Sequence, residues 1–130
     1  MTNTLKTVSP VDGSVFVERS FASEADIVGA LSRAVRAAEV WREVPINERA
    51  GICSRAIDAL VSAKDDIAIE LTWQMGRPIR YAAGEIGGLE ERARHMIEAA
   101  PDALADTPAL EKDGFTRFIR REPVGVVFVI

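Results

Sequence analysis

Cys53 and His95 are the only cysteine and the only histidine in this 130-residue chain, so any thiolate or imidazole chemistry must run through them. A nucleophilic cysteine needs an electropositive or base-adjacent, partly exposed setting that favours the thiolate. Cys53 instead falls at helical spacing with Ala56, Ile57 and Leu60, on an apolar face, and is expected to pack there as a small buried hydrophobe. His95 lies between Arg94 and Met96 on a long helix. A triad or a metal site needs partners that one helix face does not supply, so a surface position is expected for it. Glu85, Glu90, Glu91 and Glu98 could form acid–base pairs, but Arg92 and Arg94 share their helix. A solvated, salt-bridged face accounts for them. No residue is assigned a catalytic or metal-binding role.

Phosphate chemistry fares no better. Gly84-Glu-Ile-Gly87-Gly88 has G-x-x-G-G spacing inside a helical pattern, whereas a dinucleotide fingerprint sits between a strand and a helix. These glycines either admit another backbone closely or simply weaken the helix, by roughly 1 kcal/mol each relative to alanine. Arg117, Arg120 and Arg121 cluster among acidic neighbours and read as a strand surface or interface. The whole chain carries 16 Lys+Arg against 20 Asp+Glu, a net charge of −4, which argues against a nucleic-acid partner.

A hydrophobic fraction of 48% with 28% charged residues describes one globular unit. A single cysteine cannot form an internal disulfide, which favours a reducing compartment. Residues 1–7 lack the apolar core of a signal peptide, and the apolar run 124–130 is too short to span a bilayer. A cytoplasmic protein with no membrane partner is expected.

The elements follow from spacing. Asp12-Gly13 supplies turn chemistry ahead of the β-prone Ser14-Val15-Phe16-Val17. Ser23 is a plausible N-cap with Asp26 as its capping-box partner, and Ile27, Leu31, Ala34, Val35, Ala38 and Trp41 form one helical face. A second helix begins near Asn47. A third runs from Lys64 to Met75, with Gly76 as its terminating residue and Pro78 preventing continuation. Pro78 opens a fourth helix as its first residue, with Ile79, Ala82, Ile86, Leu89, Ala93, Met96 and Ala100 in a 3-4 rhythm, until Pro101 ends it. Residues 102–113 read as a loop, 115–121 as an amphipathic strand, and 124–130 as a strand buried on both faces of a parallel sheet. The chain stops on that last apolar run and is expected to be cut rather than finished.

An ordered set of segments resembles the amino-terminal quarter of the NAD(P)-dependent aldehyde dehydrogenase superfamily. Ser9-Pro-Val-Asp-Gly-Ser-Val15 is similar to its opening turn, Pro45-Ile-Asn-Glu-Arg-Ala50 to the "P-x-x-E-R" lead-in of its next helix, and Met75-Gly-Arg-Pro78 to its "x-G-[KR]-P". Ser23-Glu-Ala-Asp-Ile27, the helix to Trp41, and Gly84-Glu85 also follow the family pattern, as does Arg120-Arg-Glu-Pro-Val-Gly-Val-Val127, similar to "R-x-E-P-[LV]-G-V-V". Trp73-Gln-Met-Gly and Leu89-Glu-Glu-Arg-Ala hint at a bacterial subgroup acting on small aldehydes or semialdehydes.

The resemblance implies an α/β fold class: the mostly helical amino-terminal part of a cofactor domain, with a short amino-terminal β segment, an oligomerisation-type strand and the first strand of a parallel sheet. Residues 1–110 would be the helical part of the NAD(P)-binding domain, 111–123 part of the oligomerisation flap, and 124–130 the first sheet strand. The implied reaction is oxidation of an aldehyde to a carboxylic acid through a cysteine thiohemiacetal and hydride transfer to NAD(P)+. The nucleophile, the glutamate base and the glycine motif all lie beyond this sequence, and Cys53 matches none of them. Only Ile130 would touch the cofactor, at the edge of its pocket. NAD or NADP is therefore expected in a full-length enzyme and not on this chain alone, as is the aldehyde. The expected partners are the remainder of the enzyme or homologous subunits. The alternative is a non-catalytic helical interaction or oligomerisation module derived from that family.

Overall fold

The computed structural model describes residues 4–129. The turn chemistry near the start produces a hairpin: β1 (Thr4–Val8) pairs antiparallel with β2 (Val15–Ser20), Thr4 opposite Ser20. Ser9 closes the connection. Its N–H donates to the Ser14 carbonyl at 2.8 Å and its own carbonyl accepts from Gly13 at 2.9 Å. Asp12 accepts from the Ser14 N–H at 2.9 Å and from its hydroxyl at 2.7 Å, and these bonds hold the Asp12 carboxyl below the usual aspartate range.

Four helices follow: α1 (Glu24–Glu43), α2 (Ile46–Ser62), α3 (Lys64–Met75) and α4 (Ile79–Leu104). Ser23 caps α1 through a reciprocal capping box with Asp26, as its spacing predicts. The Ser23 side chain and then its backbone N–H hydrogen-bond the Asp26 carboxylate and lower its pKa. Gly76 ends α3 in the left-handed region at φ 75°, also as predicted.

Two boundaries differ from the sequence pattern. Pro78 caps α4 from outside rather than serving as its first residue, and its carbonyl accepts from the Tyr81 N–H at 2.8 Å. Pro101 does not end α4, which continues to Leu104. Proline removes one donor and crowds one carbonyl, but the residues after it can still donate to the preceding turn.

The loop expected over 102–113 is only partly a loop. β3 (Thr107–Pro108) pairs antiparallel with β4 (Phe118–Ile119), with Thr107 opposite Ile119. The expected strand 115–121 is thus reduced to two residues. Every described strand pair is antiparallel. Residues 124–129 form no strand, although the composition of 124–130 predicts one, because a strand exists only beside a neighbouring backbone and they pair with neither hairpin; Ile130 lies outside the described residues.

Helix α4 is the centre of the molecule and packs against both α2 and α3. The hairpin joins α3 through Phe16 and Trp73, stacked with ring centroids 5.8 Å apart, and through Pro10 against Gly76. Among the described residues the buried apolar ones are few: Ala68 of α3 with Ala82 and Ile86 of α4. The accessible surface is 10692 Å², against roughly 6,800 Å² for a compact domain of this mass. Helix α1 packs on no other element to a comparable extent, and Ile27, Leu31 and Val35 on its apolar face are exposed.

The Gly76 junction gives the first expected result. A Cβ there would lie 2.9 Å from Pro10 Cγ on a left-handed backbone, whereas nothing lies within 4 Å of one at Gly84. Gly76→Ala should therefore destabilise by at least about 1–2 kcal/mol, and Gly84→Ala should stabilise by about 0.5–1 kcal/mol. Urea unfolding midpoints of the two variants check both signs.

Candidate functional site

Helix α2 carries Cys53 and helix α4 carries His95, and the structure does not assemble them into a site. Cys53 is exposed, contrary to the buried position expected for it, and Leu60 is also partly open to solvent. The helical stripe is real, but no other element covers its outer edge. Cys53 lines a small cavity of about 250 Å³ with Trp41, Ile46, Met96, Ile97 and Ala100. Arg49 is the one charged residue on that wall, and neither His95 nor any carboxylate lines it. Iodoacetamide should label Cys53 at much the same rate in buffer as in urea. Labelling only after denaturation, read by mass spectrometry, would restore the buried assignment.

His95 is exposed on α4, as expected. The glutamates beside it behave as a salt-bridged face. Glu85 accepts from Arg77 at 2.7 Å, and Glu90 accepts from Arg94 at 2.9 Å. Arg94 also reaches across to Asp58 of α2 at 2.7 Å, which ties the two helices together. Glu91 and Glu98 are exposed. Among the described residues no three His, Cys, Asp or Glu side chains gather as metal ligands.

The basic cluster has a structural task. Arg117 donates to the Leu110 carbonyl within the second hairpin. Arg120 grips Asp106 at 2.7 and 3.1 Å and stacks over Phe118, and its hydrogen bonds hold the Asp106 carboxyl below the usual range. Arg121 donates to the Ala105 carbonyl at 2.7 Å and to the Thr107 hydroxyl at 3.3 Å. These bonds fasten 118–121 to the segment that leaves α4. They also form one wall of a larger cavity of about 880 Å³, whose other side comes from Arg42 and Glu43 at the end of α1 and Arg49 in the first turn of α2.

Arg42 was not singled out from the sequence, and Arg49 entered only as the arginine of Pro45-Ile-Asn-Glu-Arg-Ala50, with no role given to it. Their signal was seven-residue spacing across the helix break at Pro45, which brings two arginines to one corner of the fold.

The described residues do not fit a dinucleotide. Its diphosphate needs a glycine turn leading from a strand into a helix. Gly84, Gly87 and Gly88 lie exposed inside α4, and Phe21-Ala22-Ser23, without glycine, joins β2 to α1. No described backbone approaches those three glycines. Ile130, expected at the edge of a cofactor pocket, lies outside the described residues. No described helix is long and apolar enough to cross a membrane.

Residues 1–130 match the sequence model of the Aldehyde dehydrogenase family. An aldehyde dehydrogenase of Deinococcus radiodurans is 35% identical over 123 residues, covering 92% of this chain and 23% of that protein. An NADP(+) succinate-semialdehyde dehydrogenase of the same organism is 34% identical over 98 residues, covering 75% of this chain and 20% of that one. Among solved structures, gamma-glutamyl-gamma-aminobutyraldehyde dehydrogenase from Burkholderia cenocepacia superposes with a TM-score of 0.84 at 26% identity. It covers 95% of this chain, which in turn covers 25% of it. This chain thus spans about a quarter of the length of the relatives it matches. With the sequence match running over every residue and the backbone superposing over nearly all of them, the chain belongs to the aldehyde dehydrogenase family.

Proposed function

We propose that the chain acts as the helical amino-terminal part of a cytoplasmic NAD(P)-dependent aldehyde dehydrogenase, with the chemistry supplied by polypeptide outside residues 1–130. The observation that carries this reading is the family match over the whole chain, combined with coverage of only about a quarter of its relatives. Under this reading 1–110 belong to the cofactor domain, 111–123 to an oligomerisation flap, and 124–130 to the first strand of a parallel sheet. Exposed apolar side chains over 124–129 support that last assignment, since such a run needs a sheet to join. The partner is the remainder of the enzyme or a homologous subunit.

Semialdehydes of short dicarboxylic acids are the first substrate class to test, because relatives named for succinate and glutarate semialdehyde are among those matched. The experiment expresses 1–130 alone and, separately, together with the coding sequence that follows codon 130. Succinate semialdehyde with NAD+ or NADP+ should give reduced cofactor only in the second case. Reduced cofactor from 1–130 alone, lost in Cys53→Ala, would overturn the proposal.

A further inference from the structure

The larger cavity is unusual in its charge. Arg42, Arg49, Arg120 and Arg121 line it, with Glu43 and Glu122 as its carboxylates. Arg42 is occupied with Glu43 at 2.9 Å, and Arg120 is occupied with Asp106 outside the wall. Arg121 commits its Nη1 to a carbonyl and a hydroxyl and is held to the hairpin by them. Even with Asp106 counted, the corner keeps a surplus positive charge.

Arg49 is the group left over. It has no carboxylate within ion-pair distance among the described residues, and its Nε is buried with no hydrogen-bond partner. Arg49 is half-buried, and a partly desolvated guanidinium without a counter-charge is costly, so a native structure normally supplies one. The first turn of α2 adds its own positive end to the same place.

We infer that the corner between α1, α2 and residues 120–123 is a socket for a carboxylate side chain brought by another polypeptide segment, with Arg49 as its anchor. The planar fork of a guanidinium suits a carboxylate. The polypeptide source follows from size and lining. A small free acid would fill only a fraction of about 880 Å³, while a chain segment could also cover the apolar surfaces of Leu104 and Pro123 on the rim. The inference rests on the reading that this chain works with polypeptide outside 1–130.

Phenylglyoxal modification of the full chain, mapped arginine by arginine by mass spectrometry, tests it. The probe is N-acetyl-glutamate N-methylamide, a model of a chain-borne carboxylate, and the control is its neutral glutamine counterpart. At a probe concentration about four times its dissociation constant, labelling of Arg49 should slow by about fivefold. Exposed Arg33 and Arg92 should label at an unchanged rate, and the glutamine probe should protect nothing. Equal protection of Arg49 and Arg33, or equal protection by both probes, overturns the socket. Succinate protecting Arg49 at concentrations more than about tenfold lower than the glutamate probe would mark a free-acid site and overturn the polypeptide source. None of these outcomes depends on cofactor reduction, so the socket and the enzymatic reading fail separately.

Discussion

Sedimentation of the purified chain should give a spread of oligomers instead of a single monomer boundary, and the double variant Val127→Lys/Phe128→Lys should return most of it to monomer. Residues 124–129 are exposed throughout, Val124 to 97% and Phe128 to 83%, and they make no ladder with any described strand. Open backbone donors and acceptors beside apolar side chains form a template for pairing with another copy. Fully burying one such side chain contributes about 1.5–3 kcal/mol. Four of them together rival the roughly 4–15 kcal/mol lost in rigid-body freedom on association. The two lysines remove the one aromatic and one of the valines, put a charge on each face of the segment, and bring like charges together in an in-register pairing. A monomeric parent chain with slowly exchanging amides over 124–129 would contradict this, because the segment would then have found a partner inside its own chain.

Ile86→Ala should be the most damaging single truncation of an apolar side chain. Ile86 is 8% exposed and is by far the largest of the three buried apolar residues; the others, Ala68 at 3% and Ala82 at 0%, have nothing to lose to truncation. Removing it should cost about 2–5 kcal/mol, through lost burial and the cavity left on the packed side of α4. Domains of this size rarely hold more than about 5–15 kcal/mol in total. A large unfolded fraction by circular dichroism at room temperature is therefore the expected reading. Ile27→Ala, on the uncovered face of α1, should move the urea midpoint by no more than about 0.5 kcal/mol. Equal shifts for the two would mean that α1 is packed and that α4 is not the centre of the fold.

The contrast between those two isoleucines shows what the sequence could and could not disclose. Both lie on regular 3-4 stripes, and both helices formed where the stripes placed them. The capping box at Ser23 and the left-handed Gly76 were equally legible, because each depends on residues within one turn. A stripe says which face is apolar but not what covers it. Cys53 and Leu60 were misplaced for that reason, and 124–129 stand without a strand partner here because a strand depends on a neighbour as well as on its own composition. Pro101 misled in the opposite sense, since the residues after it still donate to the preceding turn and α4 runs on to Leu104. The arginine corner as a whole was not legible because its members come from separate stretches: the break at Pro45 brings Arg42 and Arg49 together, and the second hairpin brings Arg120 and Arg121 to them.

The large accessible surface of the folded chain also shapes how it unfolds. An extended chain of this mass exposes roughly 20,600 Å², so folding here hides about 9,900 Å², where a compact domain would hide about 13,800 Å². The slope of stability against urea follows newly exposed area, and so does the heat-capacity increment. Both should be only about seven-tenths of the values ordinary for 130 residues. Melting is then spread over a wide interval of temperature or denaturant, and a midpoint alone understates how many molecules are already open well before it. Any polypeptide that covers α1 and the 124–129 segment would sharpen the transition as well as raise it, so steepness is itself a gauge of how completely the chain is clothed.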